Sequence, residues 1–328
     1  MKIITLSLSP AIDLIVACDQ LQVGAHQMAH QISRTAAGKA INVSRALAAM
    51  GVSTVATGFV GSADADFFAA ELARSAEPAA ADPPNGGTIA CKLQKLDQPT
   101  RQNITIISGQ GETHLRMTGF SIGRNELAAL CKQITSLAQR DDLVVLAGSV
   151  PESLMVGEGG LWLELVHALQ AAELQIALDT SGPALRACLS EPLLVAKPNL
   201  NEWNDATGQT LGFDPPTIAA AARRLMPQTK YRLISCGEKG AVLTSDTLSL
   251  WGRLAAPGPV KRTVGCGDFL LAGFIAGVAA NQSPQEALRR GLAAATARAI
   301  SVADARDALE PKLLATLAAM ADVQMLNA

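Results

Sequence analysis

Val260-Lys261-Arg262-Thr263-Val264-Gly265-Cys266-Gly267-Asp268 opens directly into the apolar run Phe269-Leu270-Leu271-Ala272-Gly273-Phe274-Ile275-Ala276-Gly277-Val278. The run is longer than a usual strand and reads as a buried helix. Gly265 and Gly267 carry no Cβ, so a ligand can come close to the backbone. The first N–H groups of a helix lack internal partners and sit at the positive end of its dipole. A phosphate placed there is stabilised without any cationic side chain. Asp268 stands at the same spot, where a carboxylate can accept the proton of an attacking hydroxyl. That is the general-base step of phosphoryl transfer. Alone the motif is weak, because a Gly-rich helix start with a capping aspartate has the same form.

Away from this stretch the chain alternates. Segments 125–139, 161–173, 183–189 and 216–226 read as helices, followed in turn by strands at 143–147, 175–179, 193–197 and 231–235. This alternation predicts a mainly parallel sheet with right-handed crossovers, flanked by helices. Segments 2–7 and 52–60 are further strands, and 36–51 is a small-residue turn into a helix that Gly51 stops. Segment 63–75 is helical, and 76–87, rich in Ala, Pro, Asp and Gly, is a loop. A hairpin at 241–251, helices near 269–280 and 284–302, and a last helix at 310–321 close the chain. Segments 11–35 and 88–118 interrupt the pattern with short strands and turn residues. They predict a small antiparallel sheet, a candidate lid on a single domain spanning 1–328. Open α/β sheets bind ligands beyond the carboxyl ends of their strands. Asp13, Ser149, Asp179, Asn199 and Cys236-Gly237 all fall at or just past predicted strand ends.

With 49% hydrophobic residues in 328, the chain can bury a large core. A net charge of −2 without a basic block makes nucleic acid and membrane surfaces poor partners. No apolar run is long enough to span a bilayer and the N-terminus lacks a signal-peptide pattern, so a cytoplasmic protein is expected. The six cysteines show no Cys-x-x-Cys spacing and the four histidines no ligand pattern. Neither a disulfide framework nor a metal site built from them is expected.

Seven segments in order now carry a resemblance. They are Thr5-Leu6-Ser7-Leu8-Ser9-Pro10-Ala11-Ile12-Asp13, Gly38-Lys39-Ala40-Ile41-Asn42-Val43-Ser44-Arg45, Thr100-Arg101-Gln102-Asn103, Gly148-Ser149-Val150-Pro151, Lys197-Pro198-Asn199-Leu200-Asn201-Glu202, Ser235-Cys236-Gly237-Glu238-Lys239-Gly240-Ala241 and Thr263 to Asp268. Together the chain resembles the PfkB, or ribokinase-like, carbohydrate kinases, and most of all their hexose-phosphate branch. That branch holds 1-phosphofructokinases, tagatose-6-phosphate kinases and minor 6-phosphofructokinases. The resemblance implies a ribokinase-like α/β fold and ATP-dependent phosphorylation of a phosphosugar, fructose 1-phosphate to fructose 1,6-bisphosphate first. Tagatose 6-phosphate or fructose 6-phosphate is the alternative acceptor.

The resemblance also implies roles. Asp268 is the base, and Gly265, Cys266 and Gly267 form the anion hole. Asp13, Gly38 and Asn42 hold sugar hydroxyls, while Lys39, Arg101 and Ser149 lie near the sugar phosphate. Lys197, Asn199, Ser235, Gly237 and Gly240 serve the nucleotide, and Asn199 and Glu202 organise Mg2+ through water. Potassium dependence is left open. Asn199 and Glu202 also fit a helix capping box, and Asp179 reads as structural or as part of an outer magnesium network. Exposed lid edges invite pairing with a second copy, so a homodimer through the lids is expected. The departures from the branch are Ala37 and Ala40 for two glycines, Glu152-Ser153 for Pro-Gly, Cys266 for alanine and Phe269 for a small residue. They motivate a second reading, a catalytically weak sugar-phosphate or nucleotide sensor on the same fold.

Overall fold

The computed structural model describes residues 1–76, 86–157, 160–303 and 305–326; most of the loop expected over 76–87 lies outside them. Strands Thr54–Gly61, Ile3–Ser7, Leu143–Ala147, Gln175–Asp179, Val195–Ala196 and Tyr231–Ser235 lie side by side, in that spatial order, all parallel. Ile3–Ser7 and Leu143–Ala147 are buried along their whole length. That is why they read as continuous apolar runs rather than alternating ones. Helices cover both faces. One face packs Trp162, Leu165, Trp203 and Ile218 against the sheet. The other packs Val43, Leu47, Phe269, Phe274 and Leu288. The helix Cys266–Ala279 is apolar all round because it is buried between the sheet and the helix Pro284–Ile300.

The second sheet has four strands, ordered His30–Ala37, Ala11–Ala17, Arg101–Ser108 and Gly111–Arg116. Its outer pairs are antiparallel, while the inner pair, Ala11–Ala17 with Arg101–Ser108, is parallel. Asp13 therefore sits inside a strand of this small sheet, not beyond a strand of the main one.

Two expectations change. Segment 88–96 was expected in the lid, but Ile89–Cys91 and Gln94–Leu96 both pair in parallel with Thr54–Gly61 in the main sheet. Ile89 and Leu96 are buried there, a gain in apolar burial that an open lid strand does not offer. The chain also continues beyond its last helix, Pro311–Met320, into the strand Asp322–Met325. This strand pairs antiparallel with Ser249–Arg253 and buries Val323 on one face, the other side chains remaining outside. Among the described residues no helix is long and apolar enough to cross a membrane.

Candidate active site

The helix Cys266–Ala279 starts three residues earlier than its apolar run, so the Gly-Cys-Gly-Asp stretch forms its first turn. Gly265 is the N-cap with φ +84°, a left-handed conformation that glycine adopts without a Cβ penalty. No side chain caps this end. The first N–H groups are therefore not taken by a capping residue. Asp268 is 5% exposed within this turn. Asn42, in the first turn of the helix Lys39–Ala49, donates its Nδ2 to Asp268 Oδ2 at 2.8 Å.

Asp179 is the electrostatic hub. It ends the strand Gln175–Asp179 and is fully buried. Lys39 Nζ donates to its Oδ1 at 2.9 Å, and Lys197 Nζ lies 3.1 Å from its Oδ2. Burial alone would favour protonated Asp179, but Lys197 and Lys39 outweigh it and hold the carboxyl below its usual range. Burial likewise opposes charge on Lys39, yet Asp179 and Glu202 raise its pKa. Asp268 moves the other way. Burial first and the Asp179 charge second push it up to about 7, against the Asn42 hydrogen bond and both lysines. Two carboxyls in one site thus acquire opposite properties, one a permanent anion and one a base poised near neutrality. The Lys197 ammonium would lie 3.2 Å from a Cβ on Gly267, so it stands against the first turn of this helix.

Arg101, Asn103 and Asp13 form a second cluster on the small sheet, where Ala11 is paired with Arg101 and Asp13 with Asn103. Asn103 Nδ2 donates to Asp13 Oδ1 at 2.8 Å. Arg101 is held by longer bonds, from Nε and Nη2 to the Ser9 carbonyl at 3.3 Å each and from Nη1 to Asn103 Oδ1 at 3.4 Å. Burial lowers its pKa, with Asp13 opposing. Gly38 joins the two sheets: a Cβ there would lie 3.4 Å from Pro10 Cα and from Ser7 Oγ. Ser149 is exposed in the loop beyond Leu143–Ala147, one residue from Gly148, whose missing Cβ would lie 3.9 Å from Lys39 Cβ.

Asn199 caps the helix Leu200–Thr207: its Oδ1 accepts from Glu202 N–H and Glu202 Oε2 accepts from Asn199 N–H, both at 2.9 Å. Glu202 Oε1 also lies 3.5 Å from Lys39 Nζ. Beside them Ser235 N–H donates to the Pro198 carbonyl at 3.0 Å, and Cys236 N–H closes onto the Gly240 carbonyl at 2.8 Å. Gly240, at φ +92°, has no room for a side chain, since a Cβ would fall 2.0 Å from the Gly252 carbonyl oxygen. Gly237 opens the one-turn helix Gly237–Lys239 between them.

Asp179 links Lys39 to Lys197, and Asn42 ties the same helix as Lys39 to Asp268. Asp179 itself, read from sequence as structural or as part of an outer magnesium network, is the residue that both lysines meet. Its signal was its place at a strand end. Asn103 went unassigned and is the side chain that holds Asp13. The departures Ala37, Ala40 and Phe269 are 7%, 0% and 2% exposed, so their extra atoms fill the core.

Fold and kinship together define a sugar-phosphate kinase of the ribokinase-like class. The chain belongs to the pfkB family of carbohydrate kinases, whose model matches residues 3–310. It is 30% identical over 300 residues to the 1-phosphofructokinase of Bacillus subtilis, covering 91% of this chain and 93% of that one. It is 32% identical over 282 residues to the 1-phosphofructokinase of Rhodobacter capsulatus, covering 84% and 83%. Phosphofructokinase-2 from Escherichia coli, solved in complex with potassium, superposes with a TM-score of 0.81 at 25% identity, over 96% of this chain and 99% of that one.

Proposed function

We propose that the chain transfers the γ-phosphoryl group of ATP to fructose 1-phosphate, giving fructose 1,6-bisphosphate, with residues 1–328 acting as one kinase unit under a lid. The observation that carries this reading is Asp268, a buried carboxyl raised to about 7 in the first turn of an uncapped helix. The acceptor hydroxyl lies between Asp268 and the γ-phosphate, and Asp268 takes its proton as transfer proceeds in line. The N–H groups of Gly265, Cys266 and Gly267, with Lys197 beside them, receive the charge that develops on the phosphoryl oxygens. Asp13, Gly38 and Asn42 orient the sugar. Arg101 presents its planar fork to the sugar phosphate, joined by Ser149 at the rim. Lys39, tied to Asp179 and Glu202, extends the positive field of the site. Ser235, Gly237 and Gly240 shape the nucleotide loop.

Magnesium fits this site as a hydrated ion. Among the described residues no cluster of three acidic, histidine or cysteine side chains converges. Asn199 and Glu202 each spend one lone pair on the capping box and keep others for magnesium-bound water. The ion would supply charge neutralisation on the nucleotide phosphates.

The test is an ADP-release assay with MgATP and a panel of fructose 1-phosphate, fructose 6-phosphate, tagatose 6-phosphate, fructose, ribose and adenosine. Kinship to phosphofructokinase-2 supports a second reading, phosphorylation of a 6-phosphate ketohexose at O1, and the same panel separates the two. Arg101→Ala is expected to raise the acceptor KM about 10- to 100-fold, the worth of a charge-assisted hydrogen bond or two, while the KM for ATP stays put. An unchanged acceptor KM would remove the phosphosugar from the reading.

The lid also supports the homodimer. Val23, Met28, Ile32 and Leu115 stand exposed on or beside its strands. Light scattering is expected to give a mass of twice 34.0 kDa. Replacing Ile32 and Leu115 together by Asp is expected to yield monomers. A monomer of the unaltered chain at assay concentration overturns the lid interface.

A further inference from the structure

Phe269, unexpected after the catalytic motif, is the floor of a cationic group behind the anion hole. The guanidinium carbon of Arg298 lies 5.1 Å from the centre of its ring. Arg298 belongs to the last turns of the helix Pro284–Ile300, and its Nη1 donates to the Ala303 carbonyl at 2.8 Å. Its Nε–H is buried and has no hydrogen-bond partner among the described residues. A Cβ on Gly265 would lie 3.8 Å from that nitrogen, so the unspent donor sits beside the residue that caps the anion hole. Among the described residues no carboxylate forms an ion pair with Arg298. Arg262 stands close by, with Nη2 donating to the Val302 carbonyl at 3.0 Å. Burial first, then Arg262, lower the Arg298 pKa to about 10, which leaves it charged at neutral pH.

A monovalent cation held by backbone carbonyls would be the other way to place positive charge at this turn. Three carbonyls there are engaged. The Ala299 oxygen accepts the N–H groups of Lys261 and Arg262 at 2.8 and 3.1 Å. The Val302 and Ala303 oxygens accept the two guanidiniums. The Val302 and Ala303 oxygens each keep a second lone pair, but two guanidinium charges at the same turn repel a further cation. Potassium does not fit this turn.

We propose that Arg298, seated on Phe269 and flanked by Arg262, is a positioning residue for phosphoryl transfer. It is a built-in cation that steadies the Gly265 turn and adds to the field of the anion hole, so that turnover needs no potassium. The proposal rests on the kinase reading above.

The experiment compares initial rates at constant ionic strength in potassium, sodium and tetramethylammonium chloride. Turnover in any of these salts establishes the kinase reading independently, so the ratio between salts tests Arg298 alone. The unaltered chain is expected to run within about twofold in all three. Arg298→Ala is expected to lose about 10²- to 10³-fold in kcat, as when one donor of an anion hole is removed, with little change in the phosphosugar KM. Added guanidinium or potassium is expected to restore about tenfold of that loss, and Arg298→Lys to retain more activity than Ala. A merely structural arginine would give no such rescue. Tenfold or greater stimulation of the unaltered chain by potassium overturns the proposal, as does an Arg298→Ala enzyme with unchanged kcat. If Arg298→Ala fails to fold, the salt comparison on the unaltered chain decides.

Discussion

Asp268→Asn is expected to lower kcat about 10⁴-fold with both substrates still bound, the upper range for loss of a general base. The amide keeps the shape of the carboxyl and can still accept from Asn42, but it cannot take the hydroxyl proton. In the unaltered enzyme kcat/KM is expected to rise tenfold per pH unit below about 7 and level off above, because Asp268 must be deprotonated and titrates at about 7. The Asp268→Asn variant should show no such limb. Stability should move the opposite way. The folded pKa of Asp268 is raised above its ordinary value of 3.8. Its favourable contribution is therefore full below the unfolded pKa and is lost as pH rises through the folded one. Above about 7 the protein carries a buried, disfavoured carboxylate, and the neutral amide of the variant relieves it. The variant should melt higher than the unaltered chain at pH above about 7, and the difference should fade toward about pH 4. Thermal melts across that range check the sign. A variant less stable at alkaline pH would show that Asp268 is not strained by its burial.

The glycine-rich helix start was legible because its determinants are local. Gly265, Gly267 and Asp268 lie within one turn, and a long apolar run follows. The strand-end residues were legible because alternating strands and helices fix which ends face the same way. The Asp179 hub was not. Lys39 and Asp179 are 140 residues apart, and an aspartate ending a strand reads alike whether exposed or enclosed. Only the neighbouring strands Leu143–Ala147 and Val195–Ala196 and the helix beginning at Lys39 make it an enclosed anion with two lysines. The 88–96 segment failed for a related reason. Strands of three residues have no periodicity, and nothing local names their partner. The hairpins of the small sheet followed from turn spacing, whereas the parallel pairing of Ala11–Ala17 with Arg101–Ser108 joins distant segments and was invisible. Asn199 and Glu202 show the converse. The capping-box pattern was legible and is what the backbone uses.

Asp179→Asn is expected to produce two separate effects. The first is a loss of stability of about 3–5 kcal/mol, the cost of removing one partner from a buried ion cluster. Lys197, 3% exposed, would be left without its nearest counter-charge. The second is a shift of the activity profile. Asp179 is the main charge that disfavours ionised Asp268, so its removal lowers the Asp268 pKa. The acid limb of kcat/KM should move to lower pH, and the plateau should fall because a weaker base takes the hydroxyl proton less readily. Lys39→Gln is the decisive partner experiment. Lys39 lowers the Asp268 pKa, so its loss should move the same limb to higher pH, although both variants break the Lys39–Asp179 pair. General damage to the site would move both limbs the same way or not at all. Opposite shifts would show that the Lys39–Asp179–Lys197 cluster sets the basicity of Asp268 through its field. Parallel shifts would reduce the cluster to packing and leave burial alone to account for the raised carboxyl.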